Sequence, residues 1–173
     1  MFITDKDKMN TFNYELAEML SKNKKIISFD IYDTLVKRNV PNPRDVFELV
    51  EYKYKKMHGI DLKFKDIRIN AEREVRKENI GYEITFDAIY EHINLPNRND
   101  LKSIEIAIEE EICEPNYPVI KFFNQCISNG KRVIIITDMY FPELIIRKIL
   151  KKCNISKFEK LYISSEVGVE KRT

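Results

Sequence analysis

Short apolar runs and longer stretches with an apolar residue every three or four positions divide this chain between them. Ile26-Ile27-Ser28-Phe29, Val133-Ile134-Ile135-Ile136 and Leu161-Tyr162-Ile163 are brief, rich in β-branched residues and bounded by polar positions, a pattern that predicts buried strands over 25–30, 132–137 and 160–164. Helical spacing begins earlier, with Met9, Phe12, Leu16, Met19 and Leu20 predicting a leading helix over 8–22. From about 43 to 113 strand signals are lacking. Val46, Phe47, Leu49 and Val50 open a helix there, with Pro43 as a first-turn residue and His58-Gly59 at its end. Further helices are predicted over 62–79, 84–93 and 101–113, with Leu95-Pro96-Asn97 as the break between the last two. A helix over 117–128 stops at Asn129-Gly130, and 142–152 forms a crossover helix with basic residues toward its C-terminus. Strand–helix–strand alternation across 132–164 argues for parallel pairing, hence an α/β fold.

The strand ends carry candidate chemistry. Asp30 lies at the carboxyl end of the first strand, where ligands of open α/β sheets bind. A carboxylate fixed there can attack a phosphoryl group or hold a hard cation, although an Asp in this place can also simply start a turn. Thr137 and Asp138 end the second strand in the same way, and Lys171 follows the third. Taken singly, Thr137 is a strand-end hydroxyl and Lys171 a solvated lysine. Taken in order, an Asp nucleophile, a hydroxyl donor and an ammonium form a coherent phosphate site.

On these residues the chain resembles the haloacid dehalogenase-like (HAD) hydrolase superfamily. Asp30 falls on the nucleophile of the family's first motif, Thr137 on the Thr/Ser of the second and Lys171 on the Lys of the third. The fuller wording (Ser28-Phe29-Asp30-Ile31-Tyr32-Asp33-Thr34-Leu35, Arg38, Pro43-Arg44-Asp45-Val46-Phe47, Thr137-Asp138-Met139-Tyr140 and Ser164-Ser165-Glu166-Val167-Gly168) is similar to a subgroup of HAD hydrolases often found with glycosyltransferases or in surface-polysaccharide gene clusters. The resemblance implies a Rossmannoid parallel sheet with a helical cap inserted between first and second strands: core at 1–42 and 114–173, cap at 43–113. It implies an aspartyl-phosphate on Asp30, Mg²⁺ held by Asp30 and the Tyr32 carbonyl, and a small anionic, perhaps sugar-related, substrate bound by Thr137, Asp138, Lys171 and Arg38.

Two departures alter what the resemblance implies. HAD phosphatases place a second Asp two residues after the nucleophile, for acid–base work. Here Tyr32 stands there, and Asp33, the nearest carboxylate, is one residue further and on an extended segment would face the opposite way. General acid–base help is worth about 10²–10⁴-fold, so its loss implies a slow phosphatase. A Tyr at this position also occurs in metal-independent 2-haloacid dehalogenases. The second departure is that a fourth, acidic motif is expected beyond Lys171, where the sequence ends at Thr173. A sheet truncated after the third motif would leave the first strand with an open flank, to be covered by self-association or a partner strand; a fragment or prematurely ended product is the expectation. Three functional readings follow: a Mg-dependent phosphatase, a weak or inactive HAD-like binding module, and a dehalogenase-type hydrolase.

Of the 173 residues, 43% are hydrophobic and 34% charged, the size and balance of one domain with a modest insertion. Lys+Arg (30) and Asp+Glu (28) nearly cancel to +2, which argues against nucleic acid as a partner. No apolar run is long enough to span a membrane and the first residues lack a signal-peptide core, so a cytoplasmic protein is expected. Cys113, Cys126 and Cys153 are odd in number and scattered, which suits reduced thiols, and with two histidines a zinc centre is not expected. Among cap residues, Arg44, Arg68, Arg73 and Arg76 read as surface charges, with Arg38 the candidate anion ligand; Tyr82, Phe86 and Tyr90 read as cap core.

Overall fold

A computed structural model describes residues 12–168. Three strands, β1 (Ile26–Phe29), β4 (Arg132–Thr137) and β5 (Lys160–Ile163), form a parallel sheet in the order β1-β4-β5. β4 is central, and alternate residues Val133, Ile135 and Thr137 are buried along it. α1 (Tyr14–Ser21) and α6 (Tyr117–Ser128) stack on one another through Tyr14 and Phe122, whose rings lie 5.7 Å apart. α6 reaches the sheet through Phe123, 5.2 Å from Phe29. α7 (Glu143–Lys152) makes the crossover from β4 to β5 and buries Ile145, Ile146, Ile149 and Leu150. Among the described residues β1 is paired only with β4, and its other edge, where Ile26 is exposed, is open.

Between β1 and β4 the chain leaves the sheet for four helices: α2 (Asp45–His58), α3 (Phe64–Glu78), α4 (Phe86–Glu91) and α5 (Arg98–Ile112). Gly59 ends α2 in the left-handed region at φ 70°, where its missing side chain removes the steric penalty. The leading helix begins at Tyr14, with Asn13 Oδ1 accepting from the Leu16 amide at 2.9 Å; its expected first turns at 8–11 lie outside the described residues. α3, α4 and α5 each differ from the expected bounds by one to three residues, as helix ends do.

Three elements were not expected. β2 (Val36–Arg38) pairs antiparallel with β3 (Cys113–Pro115), Val36 opposite Pro115 and Arg38 opposite Cys113. Three-residue strands show too little alternation to be read, yet this pair ties together the two passages of chain between sheet and helices. α8 (Ser164–Val167) occupies what was expected to be loop.

The cap interior also corrects the sequence reading. Arg68 is fully buried rather than a surface charge, and Tyr82 is 68% exposed rather than core. Phe86 and Tyr90 are buried as expected. Arg68 donates from Nε and Nη2 to the two carboxylate oxygens of Glu105, at 3.0 and 3.1 Å, and from Nη1 to Glu72 at 3.1 Å. Tyr90 donates its hydroxyl to Glu105 at 2.6 Å. Burial opposes ionisation of both partners and draws Glu105 toward its protonated form. Three donors converging on one carboxylate decide for the ionised pair, and with Glu105 beside it the Arg68 pKa is raised despite burial.

Candidate functional site

Strand register brings the candidate residues to one edge. Phe29 is opposite Ile135 and Thr137 opposite Ile163, so Asp30, Thr137-Asp138 and Ser164 all emerge at carboxyl ends of adjacent parallel strands. This is the edge at which α/β sheets place ligands. Thr137 is buried, Asp30 half-buried and Asp138 exposed. Lys171 lies outside the described residues.

The segment after Asp30 is a tight turn rather than extended chain. The amides of Thr34 and Val36 both donate to the Ile31 carbonyl, at 3.3 and 2.8 Å, while Ile31 and Leu35 anchor the turn in the core. Asn116, from the start of α6, holds the turn from the other side. Its side-chain amide donates to the Thr34 carbonyl at 2.7 Å and its backbone amide to the Leu35 carbonyl at 3.0 Å. Asp33 takes a left-handed φ of 55°, which Asp tolerates better than most residues. It is exposed and lines a shallow groove with Ser28, Phe29 and Thr34. Tyr32 instead lies under Arg38, whose Cζ is 3.9 Å from the ring centroid. The divergence of Tyr32 and Asp33 holds, produced by the turn and not by strand alternation.

Arg38, on β2, donates from Nε to Glu109 Oε1 at 2.6 Å, with side-chain exposures of 13% and 2%. An anion reaching Arg38 would share it with Glu109. The Tyr32 hydroxyl is buried without a hydrogen-bond partner among the described residues. Burial first, and Glu109 next, raise its pKa well above the ordinary phenol value against the opposing pull of Arg38, so it stays protonated. Sequence reasoning did not find Glu109. The available signal was that Glu105 and Glu109 both fall on the apolar stripe of α5 with Leu101, Ile104 and Ile108, where a carboxylate needs a partner.

The turn after β4 is held both by Ser164 at the end of β5 and by α4. Buried Ser164 accepts from the Met139 amide through Oγ at 3.0 Å. The Tyr140 carbonyl accepts from the Phe86 amide of α4 at 2.9 Å, and the two rings stack at 5.9 Å and 9°. The Arg68 guanidinium sits 5.1 Å over the Tyr140 ring. At α7, Glu166 Oε1 accepts from the Glu143 amide at 2.6 Å, a carboxylate at a helix N-terminus. Ser164 is thus a fourth strand-end residue at the site; its type alone could not separate a clamp from a turn residue.

Solved structures share this fold. The chain aligns with the HAD-hydrolase assignment YfnB of Bacillus subtilis in its magnesium-bound form, at TM-score 0.56 and 14% identity, over 86% of this chain and 69% of that one. An assigned beta-phosphoglucomutase of Thermotoga maritima gives TM-score 0.53 at 13% identity, over 82% of this chain and 62% of that one. The L-2-haloacid dehalogenase of Xanthobacter autotrophicus, with chloropropionic acid covalently bound, gives 0.51 at 13% identity, over 85% and 59%. The chain has the fold of the HAD hydrolases. No protein-family model matches it, and no curated protein matches it by sequence. In this chain Asp30 follows β1 and Thr137 ends β4, with α2 to α5 between the two strands.

A hard cation at this edge would meet oxygen donors: the Asp30 carboxylate, the Tyr32 carbonyl and the carboxylate of Asp138. Oxygen is the donor type Mg²⁺ takes, and that ion often uses only one or two carboxylates with waters filling the rest. Among the described residues no three His, Cys, Asp or Glu side chains converge as a metal cluster, so a bound ion would keep much of its water. Among those residues, too, no helix is long and apolar enough to cross a membrane.

Proposed function

We propose that the chain is a HAD-type phosphohydrolase of the cytoplasm, acting on a small phosphorylated metabolite through Asp30. The carrying observation is the register that puts Asp30 and Thr137 at neighbouring carboxyl strand ends, with the turn behind each pinned by hydrogen bonds. An Asp30 carboxylate oxygen attacks phosphorus, the bond from phosphorus to the leaving oxygen breaks, and that oxygen takes up a proton. Water then attacks the aspartyl-phosphate, releasing inorganic phosphate and restoring the carboxylate. Thr137 donates its hydroxyl to a phosphoryl oxygen, and Lys171 balances the charge of nucleophile and substrate. Mg²⁺ held by Asp30 and the Tyr32 carbonyl would neutralise phosphoryl charge. Tyr32 occupies the acid–base position and Asp33 faces the outer groove, so turnover is slow by about 10²–10⁴-fold against an enzyme with that acid in place.

That same substitution supports a second reading, a weak or inactive module of the HAD fold that binds an anionic ligand without turning it over. Phosphate release from a panel of phosphorylated metabolites, with and without Mg²⁺ and with Asp30→Asn in parallel, separates the two. Turnover abolished by Asp30→Asn and by chelation supports the phosphohydrolase. Release no greater than that of Asp30→Asn sinks it. Halide release from 2-haloacids without metal, also lost in Asp30→Asn, would instead establish displacement at carbon, which a Tyr at this position favours.

A further inference from the structure

Asn116 lies between β3 and α6, and its bonds tie that junction to the turn after Asp30. β2 and β3 run antiparallel, with Arg38 opposite Cys113 and Val36 opposite Pro115. Proline has no amide to give, so the ladder gains no donor at Pro115. Asn116 carries the pairing two bonds further. Its amide donates to the Leu35 carbonyl at 3.0 Å, and its Nδ2 to the Thr34 carbonyl at 2.7 Å. Among the described residues no other side chain hydrogen-bonds the turn over 31–36.

Asn116 is also the N-cap of α6, a place where an asparagine side chain ordinarily accepts from first-turn amides. Here it makes no such bond. Pro118 has no amide, and the Val119 amide donates to the Asn116 backbone carbonyl at 3.0 Å. The local sequence thus releases the side chain, which donates instead to a carbonyl 82 positions away. Only 7% of Asn116 is exposed, so water cannot readily replace this bond. One residue before Thr34, Asp33 has φ 55°, a left-handed conformation that persists where its surroundings hold it.

We infer that Asn116 is a positioning residue for the nucleophile: through the Thr34 carbonyl it fixes the turn, and so the direction in which the chain leaves Asp30. Its effect on turnover rests on the phosphohydrolase reading. Misplacing a reacting group by about 1 Å can cost about 10²-fold in rate, so a loosened turn lowers kcat. Thr137 lies on β4, outside this turn, and KM should change little.

Two variants test this. Asn116→Ala removes the side-chain bond and leaves the backbone one. Asn116→Ser keeps a favoured N-cap residue for α6, but its side chain is one bond shorter, and it serves if the alanine variant fails to fold. Ile149→Val, buried in α7 away from the turn, is a lesion of stability alone. Native-state amide exchange reads the turn at Thr34 and Val36, and the sheet at Ile134 and Ile136. Both Asn116 variants should lose at least about tenfold more protection in the turn than in β4. Their kcat for phosphate release should fall about tenfold or more, with KM within about threefold. Ile149→Val should lower protection at both places alike and keep kcat within about twofold of wild type. Equal loss in turn and strand for the Asn116 variants overturns the inference, as does a wild-type kcat with the turn loosened. A wild type with no turnover above Asp30→Asn sinks the phosphohydrolase reading and the kcat effect with it, whereas the exchange contrast tests the hold on the turn by itself.

Discussion

Two buried arginine–glutamate pairs sit one helical turn apart on α5, and they do different things. Glu105 faces into the cap, where Arg68 grips it with two donors, Tyr90 adds a third, and no member of that trio contacts water appreciably. Glu109 faces the core, where Arg38 reaches it with one donor from β2 and keeps 13% of its side chain exposed. The first pair lies among the helices between β1 and β4; the second fastens α5 to β2, where Arg38 also covers Tyr32 in the turn that follows Asp30. Desolvation is nearly complete in one and partial in the other, so the cost of leaving a partner behind differs accordingly.

Arg68→Met is therefore the largest stability change expected, about 3–5 kcal/mol, because Glu105 is left buried with a charge no cation balances. Chemical denaturation followed by circular dichroism measures it. Arg68→Met combined with Glu105→Leu should recover much of the loss, since removing both members deletes the stranded charge as well as the pair. A double variant as unstable as Arg68→Met would show that the guanidinium matters for its packing over Tyr140 and Phe47 rather than for its charge.

Glu109→Gln should cost less, about 1–3 kcal/mol, because Arg38 can turn to solvent while the amide oxygen still accepts a hydrogen bond. If it equals Arg68→Met, the contrast between full and partial desolvation fails. Tyr32→Phe sharpens the same point. Its hydroxyl is buried with no partner among the described residues, so removing it should leave stability unchanged or raise it by up to about 1 kcal/mol. A loss of more than that would mean the hydroxyl is engaged by a group outside the described residues.

What the sequence revealed follows the same division. β4 and α6 were read to the residue, because an uninterrupted β-branched run and a helix between Pro118 and Asn129-Gly130 carry their boundaries locally. Asp30 and Thr137 were placed at carboxyl strand ends because strand ends are local features too. Arg68 was misplaced although it shares a face of α3 with Phe64, Ala71 and Val75, because only the tertiary meeting with Glu105, 37 positions away, makes burial of an arginine on that stripe tolerable. Pairing of β2 with β3 was invisible for the same reason: three residues cannot announce a partner on the far side of four helices. Asp33 was separated from Tyr32 correctly, but for a reason supplied by a turn and a left-handed residue rather than by strand alternation.

The smallest effect lies where solvent competes fully. His92, at the end of α4, places Nδ1 3.0 Å from the Ala88 carbonyl and Nε2 2.9 Å from Glu78 Oε2. Both ring nitrogens face acceptors, so the doubly protonated ring is the favoured form, and the Ala88 carbonyl first, then Glu78, raise its pKa above 6.5. A group whose pKa is raised by folding adds stability that is fully present below its unfolded value and is lost as pH climbs through the folded value. The window therefore opens near 6.5 and extends upward, and exposure holds the contribution under about 0.5 kcal/mol. Titration of the His92 ring by nuclear magnetic resonance should give a midpoint above that of a free histidine. Glu78→Gln should move it down only in part, because the Ala88 carbonyl remains. A midpoint in wild type at or below the ordinary value would mean that water, and not the two acceptors, sets the charge of this ring, and would extend the gradient from Glu105 through Glu109 to a surface where pairing contributes nothing.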